Sequence, residues 1–361
     1  MNKGAVMTKG SATIYDVAEL ASVSIATVSR VINGGAHVRP EVRQRVDVAI
    51  RNLDFVPSSA ARSLSGGKKF TIGLVYPLYE NRAVFGSSSE EESYVLYTDA
   101  IIRGASVEAA KLGFSIYASA VRVGDASAGS LIHQLSGVVD GMILTDRVIS
   151  DIGAMRFAKR LRAVHLSGLG AETFGATVRV DNESGMRELV AHLSTVHNVT
   201  DFGFFHGIES SQDAQARFDA FKAAVSEHRG TIRPENLLSG DFSMLRAEDE
   251  FEKRLSLGSP LPQALVCAND QMAFGAMHIM DRHNLRAPED LIVTGFDDVA
   301  MSRTVGRGLT TIRQSVFELG AAAVDALVGL LDETVEKGSM ITLPTSLVLR
   351  GTCGCLNEAA R

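Results

Sequence analysis

Three short helices are predicted near the N-terminus, within residues 13–53, and they constrain this part of the chain more than any other feature. Thr13 followed by Asp16 has the pattern of a capping box that opens the first helix. Ser24 can cap the second helix, and Pro40 suits the first turn of the third. Two helices joined by a tight turn, with a third that completes a small core, are typical of a helix-turn-helix DNA-binding unit.

A linker follows this helical segment. Pro57 breaks the helical pattern, and the Ala- and Ser-rich residues up to Leu64 can form one more short helix before a stretch rich in glycine and lysine. We therefore predict a headpiece at residues 12–57, a hinge helix and linker at 58–69, and a large body at 70–361.

The charge of the chain is divided unevenly between these parts. Residues 1–70 carry ten basic and five acidic side chains, a net charge of +5, while the whole chain carries −6. The remainder of the chain therefore carries −11. A basic headpiece on an acidic body suits a protein whose headpiece alone seeks phosphate.

The cysteines and the N-terminal sequence indicate a cytoplasmic protein. Cys267, Cys353 and Cys355 are few and odd in number, which argues against a disulfide framework and for a reducing compartment. The sequence has neither an apolar run of about 18 residues nor the pattern of a signal peptide. We expect a cytoplasmic protein that associates with the nucleoid and has no membrane partner.

Apolar runs alternate with amphipathic helical segments from residue 70 onward. This alternation predicts βαβ units, and hence an α/β body of parallel sheets flanked by helices behind an all-α headpiece. The predicted strands lie at 72–76, 114–119, 141–145, 164–166, 177–180, 202–206, 264–268 and 291–295. The predicted helices lie at 99–112, 183–196, 212–228, 244–257 and 270–283.

Several short motifs occur in a fixed order along the body. They lie at 268–275 (ANDQMAFG), 293–298 (VTGFDD), 309–314 (LTTIRQ) and 349–353 (LRGTC). Together with residues 13–64, these motifs resemble the lactose-repressor (LacI/GalR) family over nearly the whole chain. Ordered motifs at family-like spacings are far more specific than any one of them alone.

The resemblance implies a body like the periplasmic sugar-binding proteins, with two lobes, a ligand cleft and three chain crossings. We place the crossings near Val180, Ile312 and Leu343. Lobe 1 would comprise residues about 70–179 and 313–342, and lobe 2 residues about 180–312 and 343–361. The resemblance also implies a homodimer that binds a palindromic operator, in the manner of a ligand-responsive repressor of carbohydrate-metabolism genes.

The second helix is expected to enter the major groove of double-stranded DNA with its N-terminal face. Ile25, Ala26 and Arg30 then point toward base edges. Arg30 can donate two hydrogen bonds to guanine O6 and N7, and a phosphate contact is the alternative. Ile25 and Ala26 have no side-chain donor, so they either touch an apolar group such as a thymine methyl or only permit close approach.

Other residues around this helix complete the predicted DNA-binding set, which adds Tyr15, Ser24, Thr27, Ser29 and Asn33. Contacts to phosphate would set the register on DNA, and capping or bonding to the backbone is the competing role for such side chains. Ser22 departs from the family, which usually has glycine in a turn that needs a left-handed backbone.

Arg62 and Leu64 belong to the predicted hinge. By resemblance, two hinge helices of a dimer lie together in the minor groove, where Leu64 wedges between base steps and kinks the duplex. Arg62 can meet phosphate or the groove itself. The alternative is a linker helix whose Leu64 packs on the body.

Three ligand-binding side chains are implied by motif match, namely Arg217, Asn269 and Asp297. An arginine, an amide and a carboxylate are ordinary partners for the hydroxyls of a sugar or sugar derivative. Thr145, Ser167 and Gln314 lie at predicted strand ends or at a crossing. They either contribute to the same site or are ordinary polar residues at strand ends.

No catalytic, cofactor or metal site is predicted. The nucleophile elbow and the phosphate-binding loop of nucleotide enzymes are both absent. His192 and His197 are five residues apart, as are His278 and His283, which is the wrong spacing for one helical face, so we do not expect metal ligation. The pair of cysteines at 353 and 355 is expected to be structural.

Two rival interpretations and one departure from the family stand beside this prediction. A solute-binding protein could use the same body, but the headpiece and the missing signal peptide count against it. An α/β enzyme is disfavoured by the absent catalytic groups. The connection between Pro77 and Gly104 is longer than is usual in the family, and we expect a loop near the cleft mouth, either a solvated insertion or one that alters the ligand site.

Overall fold

The protein is described from a computed structural model, which covers residues 12–32, 38–55, 68–78, 89–122, 127–148, 162–167 and 175–355. The chain forms two compact units, residues 1–70 and 71–361. The first unit contains three helices, α1 (Ile14–Leu20), α2 (Ile25–Ile32) and α3 (Pro40–Asn52).

The predicted helix caps of the headpiece are confirmed. Asp16 N donates to Thr13 Oγ1 at 3.4 Å, and Thr13 N donates to Asp16 Oδ2 at 2.7 Å, which completes the capping box. Ser24 Oγ accepts from Thr27 N at 3.2 Å at the start of α2. Ser22 has a φ of +51°, so the turn between the helices does adopt the left-handed backbone that favours glycine.

Each headpiece helix buries one apolar face in a common core. Val17, Val28 and Val46, one from each helix, have no exposed surface. Burying an aliphatic side chain contributes about 1.5–3 kcal/mol, so this shared core is a main source of stability for the unit. The buried members of the core are Val17, Ala18, Ala21, Val28, Val31, Val46, Ala49 and Phe55.

The second unit alternates strands with helices. Its strands are β1 (Thr71–Leu78), β2 (Ser115–Arg122), β3 (Gly141–Leu144), β4 (Arg162–Leu166), β5 (Gly175–Val180), β6 (Asp201–His206), β7 (Thr231–Ser239), β8 (Ala264–Cys267), β9 (Ile292–Asp297), β10 (Thr310–Arg313), β11 (Met340–Leu343) and β12 (Ser346–Val348). Its helices are α4 (Ser89–Lys111), α5 (Ser127–Ser136), α6 (Asn182–Val196), α7 (Gln212–Glu227), α8 (Met244–Ser256), α9 (Asp270–Arg282) and α10 (Val316–Leu331). Within the described ranges, no helix combines the length and the apolar character that crossing a membrane would require.

The first sheet has six parallel strands in the order β11-β5-β4-β3-β1-β2. Helices α4 and α10 pack closely together beside it. A Cβ on Gly104 would lie 1.9 Å from the carbonyl oxygen of Phe317, and a Cβ on Gly320 would lie 2.2 Å from that of Ile101. Glycine at both positions therefore lets the two helix backbones come into contact. This sheet with its helices is lobe 1.

The second sheet has the order β12-β10-β9-β8-β6-β7 and is parallel except for β12, which runs antiparallel to β10. Its core is rich in fully buried aromatic side chains. Phe204 and Phe221 have ring centroids 4.6 Å apart, and Phe202 meets Phe221 edge-on at 6.1 Å. This sheet and helices α6–α9 form lobe 2.

The chain passes between the two sheets three times. It leaves the first sheet after β5, returns after β10, and leaves again between β11 and β12. Asp181 links two of these passages, because its N donates to the Leu343 carbonyl at 2.8 Å and its own carbonyl accepts from Thr345 Oγ1 at 2.8 Å. Each lobe is thus built from separate stretches of sequence.

The strands and helices predicted from residue 70 onward all lie on observed elements, whereas the hinge helix predicted within 58–69 lies outside the described residues. The main error concerns the connection after β1. Helix α4 begins at Ser89, ten residues before the predicted start at 99, so most of the expected loop up to Gly104 is helical. Residues 89–103 contain neither glycine nor proline, which is why they can extend the helix. Strand β7 was not predicted because it contains Pro234, a residue tolerated on an edge strand such as this one.

The spacing argument against a contact between His192 and His197 is wrong. His192 lies within α6, but His197 is the residue that caps its C-terminus, where the chain leaves the helix. Their Nε2 atoms are 3.2 Å apart. Helical periodicity does not apply to a residue at the helix end, so a separation of five brings these rings together.

Replacing Ser22 by glycine should stabilise the headpiece. A serine with φ of +51° carries a steric cost that glycine avoids, so we expect a gain of about 1 kcal/mol. Hydrogen–deuterium exchange of headpiece amides in the intact chain would measure it as slower exchange.

The matched control is Glu19→Gly, at an exposed position with ordinary helical backbone. This change should destabilise the headpiece by about the same amount. Faster exchange in Ser22→Gly than in the parent would contradict the assigned turn geometry.

Candidate nucleic-acid interface and ligand cleft

The exposed face of α2 presents the residues that were predicted to read DNA bases. Ile25 is 41% exposed and Tyr15 on α1 is 67% exposed, although both are large and apolar or aromatic. Ala26 and Arg30 are also exposed, while Val28 on the same helix is fully buried. The helix therefore divides into a core face and a free face that carries the predicted base-reading side chains.

The polar residues at the start of α2 support the helix itself. Ser24 is exposed and its Oγ lies 2.9 Å from Thr27 Oγ1, so the two hydroxyls share a hydrogen bond. Thr27 and Ser29 are half-buried. Ser24 therefore caps α2. Asn33, Arg62 and Leu64 lie outside the described residues.

Arg217 is the centre of a buried polar network in lobe 2. Its side chain comes from α7 and is 3% exposed. Its Nε donates to Asn182 Oδ1 at 2.9 Å, and its Nη1 donates to the Ala268 carbonyl at 2.7 Å. The guanidinium carbon lies 3.7 Å from the ring centroid of Phe296, so the cation also stacks on an aromatic face.

Asp297 joins this network at the end of β9. One of its oxygens, Oδ1, lies 3.6 Å from Arg217 Nη1 and accepts a hydrogen bond from Gln314 Nε2 at 2.5 Å. Burial raises the pKa of Asp297 to about 6, and the charge of Arg217 opposes that shift. The structure therefore brings together three of the predicted ligand-binding residues, Arg217, Asp297 and Gln314.

Asn269 lies beside the network but uses its side chain within the protein. It caps α9, because its Oδ1 accepts from Met272 N at 3.0 Å, and its Nδ2 donates to the Phe242 carbonyl at 3.1 Å. Its neighbour Asp270 is fully buried and accepts from Val299 N and from the hydroxyls of Ser302 and Thr311. Burial and the nearby Asp297 raise the pKa of Asp270 to about 7.

Thr145, Ser167 and Gln314 share one property that bears on ligand binding. Each directly follows the carboxyl end of a strand, β3, β4 and β10 respectively. Among the described residues, Thr145 Oγ1, Ser167 Oγ and Gln314 Oε1 are buried and find no hydrogen-bond partner. Buried polar atoms are normally paired, so three unsatisfied ones at strand ends indicate where a polar molecule or water belongs.

Further cleft residues were not predicted from the sequence. Asp213 Oδ1 accepts from Asn182 Nδ2 at 2.7 Å, which extends the Arg217 network. Asp146 follows β3 in lobe 1 yet bonds to Ser211 of lobe 2, and burial raises the pKa of Asp146 to about 6. Burial raises the pKa of the Tyr97 phenol well above its ordinary value, and Asp213 reinforces that shift.

These residues escaped prediction for a simple reason. Tyr97 lies on α4, Asp146 after β3 and Ser211 before α7, so they meet only because the two lobes face each other. The one local signal was the position of Asp146 just after β3, since polar residues at the carboxyl ends of parallel strands commonly line ligand sites.

Comparison with known proteins agrees with both units. Residues 13–58 match the family described as bacterial regulatory proteins, lacI family, and residues 190–353 match the periplasmic binding protein-like domain. The lactose operon repressor of Escherichia coli (strain K12) is 30% identical over 347 residues, which cover 94% of this chain and 90% of that protein. The chain belongs to the lacI family.

Other members of the lacI family match over comparable lengths. The HTH-type transcriptional repressor PurR of Haemophilus influenzae (strain PittEE) is 30% identical over 349 residues, covering 94% of this chain and 98% of that protein. The crystal structure of the lac repressor dimer bound to operator and the anti-inducer ONPF has a TM-score of 0.79 at 29% identity, covering 96% of this chain and all of that one. These relatives are transcriptional repressors, not enzymes. This lacI-family protein is accordingly a DNA-binding transcriptional regulator with a helix-turn-helix headpiece and a periplasmic-binding-like body.

The electrostatics of the cleft can be tested by replacing Asp297 with asparagine. Because the pKa of Asp297 is raised to about 6 in the folded protein, the folded body binds more protons than the unfolded chain between about pH 4 and 6. The parent therefore loses stability as the pH rises through that range, and the variant lacks this loss. We expect the Tm of Asp297→Asn, relative to the parent, to be higher at about pH 7.5 than at about pH 4.5.

Thermal melts of both ligand-free proteins at the two pH values measure this difference. If the relative Tm of the variant is the same at both pH values, or falls as the pH rises, the carboxylate is not held in a costly buried environment.

Proposed function

We propose that this protein is a ligand-responsive repressor of carbohydrate-metabolism genes, which binds a palindromic operator as a homodimer and a sugar or sugar derivative in the cleft. The observation that carries this proposal is the set of buried, unpaired polar atoms on Thr145, Ser167 and Gln314, beside the network of Arg217 and Asp297. These groups offer both donors and acceptors at the carboxyl ends of two facing sheets.

The chemistry of these groups favours a hydroxyl-rich ligand. Each hydroxyl of a sugar can donate one hydrogen bond and accept others, so it can satisfy Gln314 Oε1, Thr145 Oγ1 and Ser167 Oγ. Asp297 can accept from a hydroxyl, and Arg217 can donate to a ring or hydroxyl oxygen. Two structural neighbours point the same way, since one is the lac repressor bound to ONPG and the other is the regulator CelR in complex with cellobiose.

Ligand binding would act on DNA affinity by fixing the relative position of the lobes. Thr145 and Ser167 belong to lobe 1, whereas Arg217 and Asp297 belong to lobe 2, so one ligand can bond to both. A ligand shifts an equilibrium between two lobe arrangements by the difference in its affinity for them. The lobe movement would reach DNA through the hinge, where Arg62 and Leu64 remain the predicted minor-groove residues.

DNA recognition would rely on the free face of α2. We assign base contacts to Ile25, Ala26 and Arg30 and backbone contacts to Tyr15, Ser24, Thr27, Ser29 and Asn33. The exposure of Ile25 supports an apolar contact, because an exposed isoleucine at a helix start gains stability only when another surface covers it. We also propose that the protein acts at the nucleoid and has no enzymatic activity, since the relatives that it matches are transcriptional repressors.

Arg30→Ala should weaken binding to an operator selected from random palindromic duplexes. A bidentate contact to guanine contributes about 1–3 kcal/mol, so the expected loss in affinity is roughly 5- to 150-fold. Fluorescence anisotropy at fixed salt measures it, with an unrelated duplex of the same length for comparison.

The matched control is Arg51→Ala, which removes one exposed positive charge from α3. Arg51→Ala should weaken binding to both duplexes slightly and by the same factor. Equal losses on both duplexes for Arg30→Ala would mean that Arg30 contacts phosphate and does not read a base.

Thermal-shift screening against sugars, sugar phosphates and nucleosides should identify a stabilising sugar or sugar derivative. A ligand present at about 100 times its Kd stabilises by about 2.7 kcal/mol, which raises Tm by a few degrees. Arg217→Lys should abolish that shift, because lysine cannot reproduce the fork that bonds to Asn182 and Ala268.

Arg254→Lys is the matched control for this loss. Arg254 is equally buried in lobe 2 and also donates to an asparagine oxygen, that of Asn236, but it is bonded to the loop that precedes β8. Its variant should melt earlier than the parent and still respond to the ligand. An undiminished ligand shift in Arg217→Lys would contradict the cleft assignment, as would a panel without any stabilising sugar.

A further inference from the structure

Four side chains with metal-binding atoms meet in lobe 2, in a cluster for which the proposed function has no use. They are His192, His197, Cys353 and Cys355. Their ligand atoms, one from each residue, all lie within 4.8 Å of one another. In the part of the chain that the structure describes, no other histidine, cysteine or acidic group meets the same criterion.

Three of the distances in this cluster match the edges of a zinc tetrahedron, and the other ligand pairs lie within 4.8 Å. With Zn–N bonds of about 2.0–2.1 Å and Zn–S bonds of about 2.3 Å, tetrahedral geometry puts two nitrogens about 3.3 Å apart and a nitrogen and a sulfur about 3.6 Å apart. The two Nε2 atoms are 3.2 Å apart. Cys355 Sγ lies 3.5 Å from His192 Nε2 and 3.4 Å from His197 Nε2, and Cys353 Sγ lies 3.9 Å from His192 Nε2.

The backbone brings these atoms together from two distant parts of the sequence. His192 and His197 lie in and at the end of α6, and the cysteines follow β12 near the end of the described chain. Gly354 between the cysteines has a φ of +95°, a left-handed conformation that a side chain would disfavour. This turn places the Sγ atoms of Cys353 and Cys355 close to the C-terminal end of α6.

The surroundings suit a closed structural site. Cys353 is buried and the other three residues are half-buried, so the cluster is shielded without being inaccessible. The Thr310 hydroxyl lies 3.1 Å from Cys353 Sγ and can donate to it, as outer hydrogen bonds commonly do to metal-bound thiolates.

We propose that His192, His197, Cys353 and Cys355 bind one Zn²⁺ ion in a closed tetrahedral site. Binding would deprotonate the two thiols and release two protons, which leaves a site of zero net charge with two neutral imidazoles. Two sulfurs and two nitrogens in a tetrahedron are the ligand set that zinc prefers. With four protein ligands the ion has no open position, so its role is structural and not catalytic.

The ion would fasten the C-terminal segment to the body of lobe 2. Arg350, three residues before Cys353, donates to Asp298 Oδ1 at 2.5 Å and to the Leu309 carbonyl at 2.7 Å. Asp298 directly follows Asp297 of the cleft. Zinc would therefore support the segment that braces one end of the ligand site, although the proposal stands whether or not that site takes a sugar.

The test is the metal content and thermal stability of the full-length chain. Protein purified without chelator from zinc-supplemented cells should contain about one zinc per chain by elemental analysis. Chelation should lower its Tm by several degrees, and added Zn²⁺ should restore it. Co²⁺ added to the chelated protein should give the intense visible absorption of a tetrahedral thiolate site.

Cys355→Ser and His197→Ala should each lose most of the zinc. His283→Ala is the matched control, because His283 caps the C-terminus of α9 as His197 caps α6, and it is bonded to Glu252 instead. His283→Ala should keep its full zinc content, about one ion per chain. If the single variants do not fold, the Co²⁺ spectrum of the chelated parent decides alone.

Three results would overturn the proposal. One is parent protein with less than about a tenth of an equivalent of zinc and no tetrahedral Co²⁺ spectrum. Another is unchanged zinc in both Cys355→Ser and His197→Ala. The third is a Cys353–Cys355 disulfide, detected by mass spectrometry, in freshly purified protein that contains no zinc.

Discussion

The buried guanidinium of Arg217 is the interaction on which the ligand site depends. Removing a cation from water is costly, and the cost is offset only because Arg217 bonds to Asn182 and the Ala268 carbonyl, stacks on Phe296 and lies near Asp297. These partners come from the start of α6, the end of β8 and the end of β9. One side chain thus fixes the carboxyl edge of the second sheet. Without Arg217, no nearby positive charge would offset the negative charge of the buried Asp297 carboxylate.

The same arrangement explains why the site suits regulation. Asp146, Asp270 and Asp297 all have a pKa raised to between about 6 and 7 by burial, so the ligand-free cleft holds carboxylates in an unfavourable environment. The proposed hydroxyl-rich ligand would improve that environment and bond to both lobes. Its binding energy is then available to favour one lobe arrangement over another. A headpiece linked to lobe 1 through the predicted hinge would respond to this change in lobe arrangement.

The fold was largely predictable because its local signals agree with one another. Thr13, Asp16, Ser24 and Pro40 are placed as a helix-turn-helix unit requires, and strands alternate with helices along the body. The early start of α4 was missed although residues 89–103 contain no glycine or proline, and edge strand β7 was missed because it contains Pro234. Arg217 and Asp297 were assigned to the ligand site by motif match, and Gln314 by its place at a chain crossing. Tyr97, Asp146 and the His192 cluster were not predicted, because they depend on contacts between segments far apart in sequence, which periodicity cannot reveal.

The account rests on a coupling between the cleft and the DNA-binding headpiece, and thermodynamic linkage tests this coupling most directly. Operator affinity would be measured by titration with and without saturating effector, and effector affinity with and without saturating operator. If both ligands act through one equilibrium between lobe arrangements, the two affinities must change by the same factor, typically about 5- to 150-fold. An operator affinity that is the same with and without a cleft-bound effector would contradict the account.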